Sequence, residues 1–325
     1  MSLEFLRDYG LRLAILVAAI AIFLIASPGF RSESSLFAVV EQMTFVGVAS
    51  AGLAVTMIAG ELDLSVASMA SMMGVVAVRM GEFGLVAGIL SALLGGALLG
   101  GIQGFAIAKL GINSLVFTTG TLILFSGCAY IFAGGQPIVL DDFTVTDPLH
   151  TRLLFLSPSS TIAIACLAIL GLFLAYTRPG RNIYAIGGSR IEATAAGVPV
   201  RSSLTLAFMA SGAGAGLAGG ITCLKGGSAA PEGSSDLLLL AVGAALIGGV
   251  GLYGGVGNVW NMLIGILIVG VLTAGMATLA SPSYMHSLVL GTALIVLLLS
   301  DFLLDRVVKA RRLTKRRAMA EAVTQ

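Results

Sequence analysis

Charged side chains are scarce in this chain, since Lys, Arg, Asp and Glu make up 10% of its 325 residues. A typical soluble domain has about 25% charged residues. Hydrophobic residues reach 57%, and the mean hydropathy is +1.02. This composition excludes an ordinary soluble domain and indicates an integral membrane protein.

Residues for metal, redox and nucleotide chemistry are also few. The three cysteines, Cys128, Cys166 and Cys223, lack CxxC spacing, and the two histidines lie far apart. A metal or redox centre is therefore not expected. The chain has no GxxxxGK[ST] motif and so lacks a P-loop for nucleotide phosphates. We expect no cofactor on this chain and no enzymatic activity, because no paired nucleophile and base is visible either.

Ionisable residues are missing from the middle of every apolar stretch. Only Glu41, Glu61 and Asp63, which flank such stretches, come close. Ion-coupled carriers and pumps keep ionisable residues near the middle of the membrane. Their absence argues against a self-sufficient secondary carrier and favours a pathway that another protein drives.

Charge-free intervals mark the candidate spans, because roughly 20 apolar helical residues cross a bilayer core of about 30 Å. They are 13–30, 42–60, 64–78, 83–108, 110–140, 153–177, 202–224 and 237–300. The last interval has turn residues at 253–255 and 280–282 and can hold three helices. We therefore predict an all-α polytopic transmembrane bundle of about ten spans over residues 1–305, followed by a basic tail at 306–325. The short interval 64–78 either spans or forms a re-entrant segment.

Positive charges gather on one predicted side of the bundle. With ten spans, the N-terminus, the polar segment 178–203 and the C-terminal tail share that side, which the positive-inside rule places in the cytoplasm. The basic residues there are Arg7, Arg12, Lys109, Arg178, Arg181, Arg190, Arg201, Arg306, Lys309, Arg311, Arg312, Lys315, Arg316 and Arg317. The long loop 134–157, with Asp141, Asp142 and Asp147, then faces outward. The basic tail is interpreted as a topology anchor beside lipid headgroups, with no nucleic-acid role expected.

Small residues recur at every fourth position in two segments. The first series is Gly84, Gly88, Ala92, Gly96, Gly100, Gly104 and Ala108, and the second is Gly212, Gly216 and Gly220. Such series form shallow helical grooves in which another backbone can approach closely. They are predicted to be packing faces within the chain, with a subunit interface as the alternative.

Four segments resemble the membrane-spanning permeases of bacterial ABC importers of the ribose and simple-sugar type. They are GELDLSVASMASMMGVVAV (60–78), SLVFTTGTLILFSGCAYIFAGGQPI (114–138), GRNIYAIGGSRIEATAAGVPV (180–200) and IGGVGLYGGVGNVWNMLIGILIVGVL (247–272). They occur in the family's order over most of the chain. Two residues depart from the family pattern: Ser189 stands where Asn is usual, and Glu61 replaces a small or apolar residue.

The third segment predicts a short helix over 190–196. Ser189 can cap its start, Gly197 can end it in the left-handed conformation, and Pro199 prevents its continuation. In the family this element is the coupling helix, which docks on a cytoplasmic ATPase. The resemblance implies that the surface that contacts the ATPase is formed by Ile191, Ala193, Thr194 and Ala196. Arg190 and Glu192 would fix the register of docking through charge pairs. A solvated loop whose arginines only set topology is the alternative.

The resemblance also implies the partners of the chain. These are two ATPase domains that hold ATP and Mg²⁺, a second permease chain, which is identical or different, and a periplasmic binding protein that delivers the sugar. Loop 134–157 is predicted to receive the binding protein, because it is the longest segment on the Lys-poor side and carries three aspartates. The expected location is the bacterial inner membrane. The alternatives are a permease for branched-chain amino acids or another small polar solute, and a self-sufficient carrier.

Polar residues within or beside the spans could offer hydrogen bonds to a sugar along its path. The candidates are Gln42, Asp63, Ser65, Asn113 and Thr118. Most polar residues in membrane helices instead bond to neighbouring helices. Asp63 with Ser65 could equally cap the start of a helix.

Overall fold

The computed structural model describes residues 3–152, 154–282, 284, 285, 287–296 and 299, with side chains from Tyr9 onward. Two compact units are present, 1–281 and 282–325. In the second unit the described part contains one apolar helix, Ser287–Val296. The predicted basic tail at 306–325 lies outside the described residues, as does the end of the predicted domain at 305.

The first unit is almost entirely helical. Its α-helices are α1 (Leu3–Ala26), α2 (Glu33–Gln42), α3 (Val48–Ile58), α4 (Val66–Gly81), α5 (Leu85–Leu110), α6 (Ser114–Ala133), α7 (Asp147–His150), α8 (Pro158–Tyr176), α9 (Arg178–Gly188), α10 (Arg190–Ala195), α11 (Val200–Lys225), α12 (Leu237–Gly248) and α13 (Val259–Thr278). A π-helical turn, Met43–Gly47, joins α2 and α3. Two short strands, β1 (Ile138–Val139) and β2 (Ser228–Ala229), pair antiparallel.

The charge-free intervals of the sequence contain apolar helices of two length classes. Seven stretches are long and apolar enough to cross a membrane, and three shorter apolar helices, Val66–Gly81, Leu237–Gly248 and Ser287–Val296, occupy the remaining intervals among the described residues. The helical membrane class is confirmed, whereas ten spans and the side on which the termini lie remain predictions. Helix α4 follows an extended stretch and ends where Gly81 packs near Leu140 and Leu224. It is one continuous helix of 16 residues, and whether this segment spans the membrane stays a prediction.

Helix α11 lies at the centre of the first unit and packs on α3, α4 and α5. The two predicted grooves meet there: a Cβ on Gly96 would overlap the carbonyl oxygen of Gly212, and a Cβ on Gly216 would overlap that of Ala92. Close backbone approach of this kind needs small residues in both helices. The prediction of packing within the chain is confirmed for this pair of grooves.

The loops of the first unit collect at two ends of the bundle. The α10 end contains 59–65, 111–113, 177–199 and 249–258, and the β1–β2 end contains 27–32, 82–84, 134–157 and 226–236. Asn258 donates a hydrogen bond to the hydroxyl of Tyr9 at 2.7 Å, which brings the start of α1 to the α10 end. The N-terminal segment and segment 178–203 therefore share one end, as predicted.

Candidate coupling and translocation sites

Helix α10 is built as its sequence predicts. The Ser189 hydroxyl accepts a hydrogen bond from the Glu192 amide at 3.3 Å. Gly197 has φ +78°, and the amides of Gly197 and Val198 donate to the carbonyl oxygens of Thr194 and Ala193. This is a Schellman ending, which satisfies carbonyls that the helix leaves free. Both predicted caps are confirmed, and they define a short helix between two long ones.

The exposed face of α10 differs from the predicted contact surface at one position. Ile191 is 85% exposed, and Glu192, Thr194 and Ala196 are also exposed. Ala193 is 5% exposed, because α10 packs on α9 and α11 and Ala193 lies on the packed side. Ala193 is therefore not part of the exposed face of α10, in contrast to the prediction.

Arg190 is engaged within its own chain. Its guanidinium pairs with the carboxylate of Glu61, whose side chain is 10% exposed and follows the end of α3. The Arg190 side chain remains 48% exposed, so its predicted pairing with a partner protein stays a prediction beside this internal ion pair. Glu61, one of the two residues that depart from the family pattern, thus connects the end of α3 to α10.

A glycine junction, formed by Gly60, Gly187, Gly254 and Gly255, joins segment 178–203 to the rest of the bundle. A Cβ on Gly187 would overlap the carbonyl oxygen of Ile58, and the Gly255 amide donates to this oxygen at 2.8 Å. A Cβ on Gly254 would lie 2.7 Å from the Cα atom of Gly60. Only glycine permits three backbone segments to meet this closely.

Helix α9 was not predicted and forms most of the contact between segment 178–203 and the bundle. Thr177 caps it, and Pro179 lies in its first turn, where proline is tolerated. Ile183 and Ile186 are buried, and the Tyr184 hydroxyl donates to the carbonyl oxygen of Gly257 at 2.7 Å. Burial, with a smaller contribution from the nearby Tyr9, raises the pKa of Tyr184. The Thr-x-Pro start and the apolar i, i+3 pair could have identified this helix.

Asp63 lies at the centre of a buried polar network and is 1% exposed. Its Oδ1 accepts from the amide of Ser65 at 3.0 Å and the hydroxyl of Ser65 at 2.6 Å, and its Oδ2 accepts from Ser211 at 2.8 Å. Gln103 contacts the Ser65 hydroxyl at 3.1 Å, and Thr121 donates to Gln103 at 3.2 Å. The network joins α4, α5, α6 and α11. Sequence reasoning did not assign Ser211 or Thr121 to it.

Thr118 and Asn113 also have structural partners. The Thr118 hydroxyl donates to the carbonyl oxygen of Ser114 at 2.8 Å and accepts from the Leu64 amide at 3.2 Å. Asn113 caps α6 by accepting from the Leu115 amide at 2.9 Å. It lines a cavity of about 480 Å³ at the α10 end, together with Glu61 and Arg190. These contacts support the alternative, in which most of the predicted path residues hold the bundle together.

Gln42 belongs to a different environment, a cavity of about 600 Å³ at the β1–β2 end. The walls come from α2, the π-helical turn and the end of α11. Glu41 pairs there with Lys225 at 2.6 Å and accepts from the Ser157 hydroxyl at 2.7 Å. The Arg152 guanidinium lies over the Phe37 ring, 4.1 Å from its centroid. The cavity residues are Ser34, Phe37, Ala38, Glu41, Gln42, Thr44, Phe45, Arg152, Thr222, Lys225 and Gly226.

Loop 134–157 presents its three aspartates to solvent at the β1–β2 end. Asp142 accepts from the amide of Thr144 at 2.9 Å and from its hydroxyl at 2.7 Å. These hydrogen bonds lower the pKa of Asp142. Asp141 and Asp147 are exposed as well, so the loop carries negative charge away from the bundle. Among the residues that the structure describes, no group of three or more His, Cys, Asp or Glu could hold a metal ion.

Comparison with known proteins identifies the kind of chain that has this architecture. A family model described as "Branched-chain amino acid transport system / permease component" matches residues 35–298. The chain belongs to this permease family. The permease is thus a multi-pass membrane protein and a component of a transport system.

Three curated relatives match almost the whole permease. The L-arabinose transport system permease protein AraH of Escherichia coli is 33% identical over 299 residues, which are 90% of this chain and 90% of AraH. The autoinducer 2 import system permease protein LsrD of Photorhabdus laumondii is 30% identical over 296 residues, 87% of each chain. The ribose import permease protein RbsC of Escherichia coli is 28% identical over 297 residues, 88% of this chain and 91% of RbsC. No solved structure matches the permease.

Proposed function

We propose that this permease is the membrane-spanning subunit of an ATP-driven importer of a small sugar in the bacterial inner membrane. A cytoplasmic ATPase that binds ATP and Mg²⁺, a second permease chain and a periplasmic binding protein complete the importer. The observation that carries the proposal is α10, a capped and exposed helix tied to the bundle interior by the Glu61 ion pair and the glycine junction. Two relatives are named as an L-arabinose transport system permease and a ribose import permease, which supports a sugar as the solute.

The ATPase docking surface consists of α10 and the loop that joins α12 to α13. Ile191 is joined there by Tyr253, which is 93% exposed, and by the exposed Leu252 and Val256. Tyr253 lines the same cavity as Arg190, so the two segments form one surface. Apolar and aromatic side chains exposed outside the spans are typical of the core of a protein interface.

Closure of the ATPase would reach the bundle interior through two connections. Arg190 is bound to Glu61, which lies two residues before Asp63 and its network. Gly187 lies against the end of α3 and the loop 249–258. A displacement of α10 would therefore act on both the extended stretch before α4 and the start of α13.

Loop 134–157 would receive the loaded binding protein at the opposite end. Its three exposed aspartates offer charge complementarity to a basic surface, and such docking weakens as salt increases. Because its hydrogen bonds to Thr144 lower the pKa of Asp142, its carboxylate is protonated at a lower pH than that of an ordinary aspartate. Docking should therefore depend on salt more strongly than on mild acidification.

The decisive experiment is Glu192→Arg in the complex of permease, ATPase and binding protein, with Glu82→Arg as control. Both residues are exposed, but Glu82 lies at the β1–β2 end. We expect Glu192→Arg to insert normally and to lose ATPase binding and the stimulation of ATP hydrolysis by loaded binding protein, whereas Glu82→Arg retains ATPase binding. Full ATPase binding and stimulation by Glu192→Arg would refute the docking surface.

The solute and the energy source are tested together. Proteoliposomes with the complete complex should take up at least one of L-arabinose, D-ribose and D-allose when ATP is supplied inside, and should not take up leucine. Uptake by the permease alone under an ion gradient would instead establish a secondary carrier. ATP-dependent uptake of leucine without any sugar uptake would support the amino-acid alternative.

A further inference from the structure

We infer that the cavity at the β1–β2 end is a binding site for a polyhydroxylated solute of monosaccharide size, and that Gln42, Glu41 and Lys225 contact it. This inference rests on the proposed function and specifies where the imported solute binds in the bundle. The cavity of about 600 Å³ lies within the usual size range of small-molecule sites. It opens at the end of the bundle that carries the aspartate loop.

The charges of the cavity indicate the class of solute. Glu41 and Lys225 form an ion pair at 2.6 Å, and Ser157 holds the second carboxylate oxygen of Glu41. Lys225 keeps further N–H donors for a ligand, and the carboxylate keeps lone pairs. Lys225 and Arg152 would repel a simple cation, whereas the single carboxylate among the described residues of the cavity, that of Glu41, is already paired with Lys225. Vicinal hydroxyls both donate and accept, so they match a paired carboxylate and ammonium.

Unused hydrogen-bonding capacity lies next to this pair. Within the described part of the chain, the Gln42 amide makes no hydrogen bond, although it lines the cavity. The Thr44 hydroxyl is buried there and has no partner. Thr44 belongs to the π-helical turn, and such turns are frequent at functional sites. Polar groups left open in a cavity with a few convergent charges are expected of a ligand site.

One wall of the cavity is flat and fixed. The Arg152 guanidinium covers the Phe37 ring at 4.1 Å, and the Lys225 ammonium lies 5.7 Å from the same ring. The stacked guanidinium is held in place by the ring and keeps its N–H donors for other groups. The wall therefore adds donors without a second carboxylate, which suits the oxygen atoms of a sugar.

The test compares two glutamines of the spans, Gln42→Leu and Gln103→Leu, in the complete complex. The probe is whichever of L-arabinose, D-ribose and D-allose the wild-type complex takes up with ATP. Because Gln42 has no partner in the described chain, Gln42→Leu should keep normal amount and thermal stability but reduce solute uptake per ATP hydrolysed roughly threefold to tenfold, the loss of one hydrogen bond. Gln103→Leu should instead lower thermal stability, because Gln103 is buried and hydrogen-bonded to Ser65.

A charge exchange separates binding from folding. The double variant Glu41→Lys with Lys225→Glu keeps an ion pair, so the complex should assemble, while uptake per ATP falls at least as much as in Gln42→Leu. Unchanged uptake per ATP in both Gln42→Leu and the exchange variant would overturn the site. Reduced assembly of two permease chains with normal uptake per complex would show that a partner chain covers the cavity.

The two proposals can fail separately. If Glu192→Arg abolishes ATPase stimulation but Gln42→Leu has no effect, only the solute site is wrong. If none of the three sugars is taken up with ATP, both the proposed function and the site are wrong.

Discussion

Two polar clusters of the permease differ in how many of their hydrogen-bonding groups are already engaged. In the Asp63 network every described side chain has a partner on another helix or in its own turn, and Asp63, Ser65 and Gln103 are buried. In the cavity at the β1–β2 end, Gln42 and Thr44 retain open groups beside an ion pair. Polar residues in a membrane bundle can thus serve packing or binding, and the unused groups distinguish the two roles.

The largest effect is expected where the helices that carry the Asp63 network touch. Gly96→Leu would force α5 away from α11, because even a Cβ would overlap the carbonyl oxygen of Gly212. We expect a loss of stability above about 4 kcal/mol, at the upper end for single substitutions, and little folded protein in the membrane. Gly127→Leu is the control, since a Cβ there has no atom within 4 Å. The measurement is the amount of folded protein recovered from the membrane in detergent. A normal amount for Gly96→Leu would contradict the packing of α5 on α11.

A smaller effect is expected when one carboxylate in each cluster is changed to an amide. Asp63→Asn places an NH₂ group among the three donors that now face the carboxylate, and should lower the free energy of unfolding by about 1–3 kcal/mol. Glu41→Gln changes an ion pair whose side chains are each 22% exposed and should cost no more than about 1 kcal/mol. Denaturant unfolding in nanodiscs measures both. Equal losses would mean that the two clusters do not differ as described.

The smallest effect should stay local to α10. Gly197→Val puts a β-branched residue at φ +78° and should weaken the end of the helix by about 1 kcal/mol or more. Hydrogen exchange of the Val198 amide, which bonds to Ala193, should accelerate while the bundle keeps its melting temperature. Gly188→Val is the control, because a Cβ there meets no neighbour and φ is not left-handed. Destabilisation of the whole bundle by Gly197→Val would show that α10 is not an independent element.

Local signals in the sequence predicted much of the fold. The charge-free intervals located the apolar helices, the four-residue spacing of small residues located the packing faces of α5 and α11, and Ser189 with Gly197 bounded α10. Each of these features depends on neighbouring residues along one helix. For this reason a single sequence was sufficient.

Contacts between distant segments could not be predicted in the same way. Arg190 and Glu61 are 129 residues apart, and Asp63 and Ser211 are 148 residues apart. No spacing rule connects such positions, because they meet only after the helices have packed. The burial of Ala193 was missed for the same reason, since the packed side of a six-residue helix is decided by its neighbours.

Backbone packed directly on backbone is stiff. Where side chains separate two elements, their rotamers can change and take up a small displacement before it reaches the next element. At the glycine junction no rotamers intervene between Gly187, the end of α3 and Gly255. A displacement of segment 178–203 toward the bundle is therefore transmitted directly, and the end of α3 and the loop 249–258 must move with it. Only changes in the φ and ψ angles of the glycines can alter the angles between these three backbone segments.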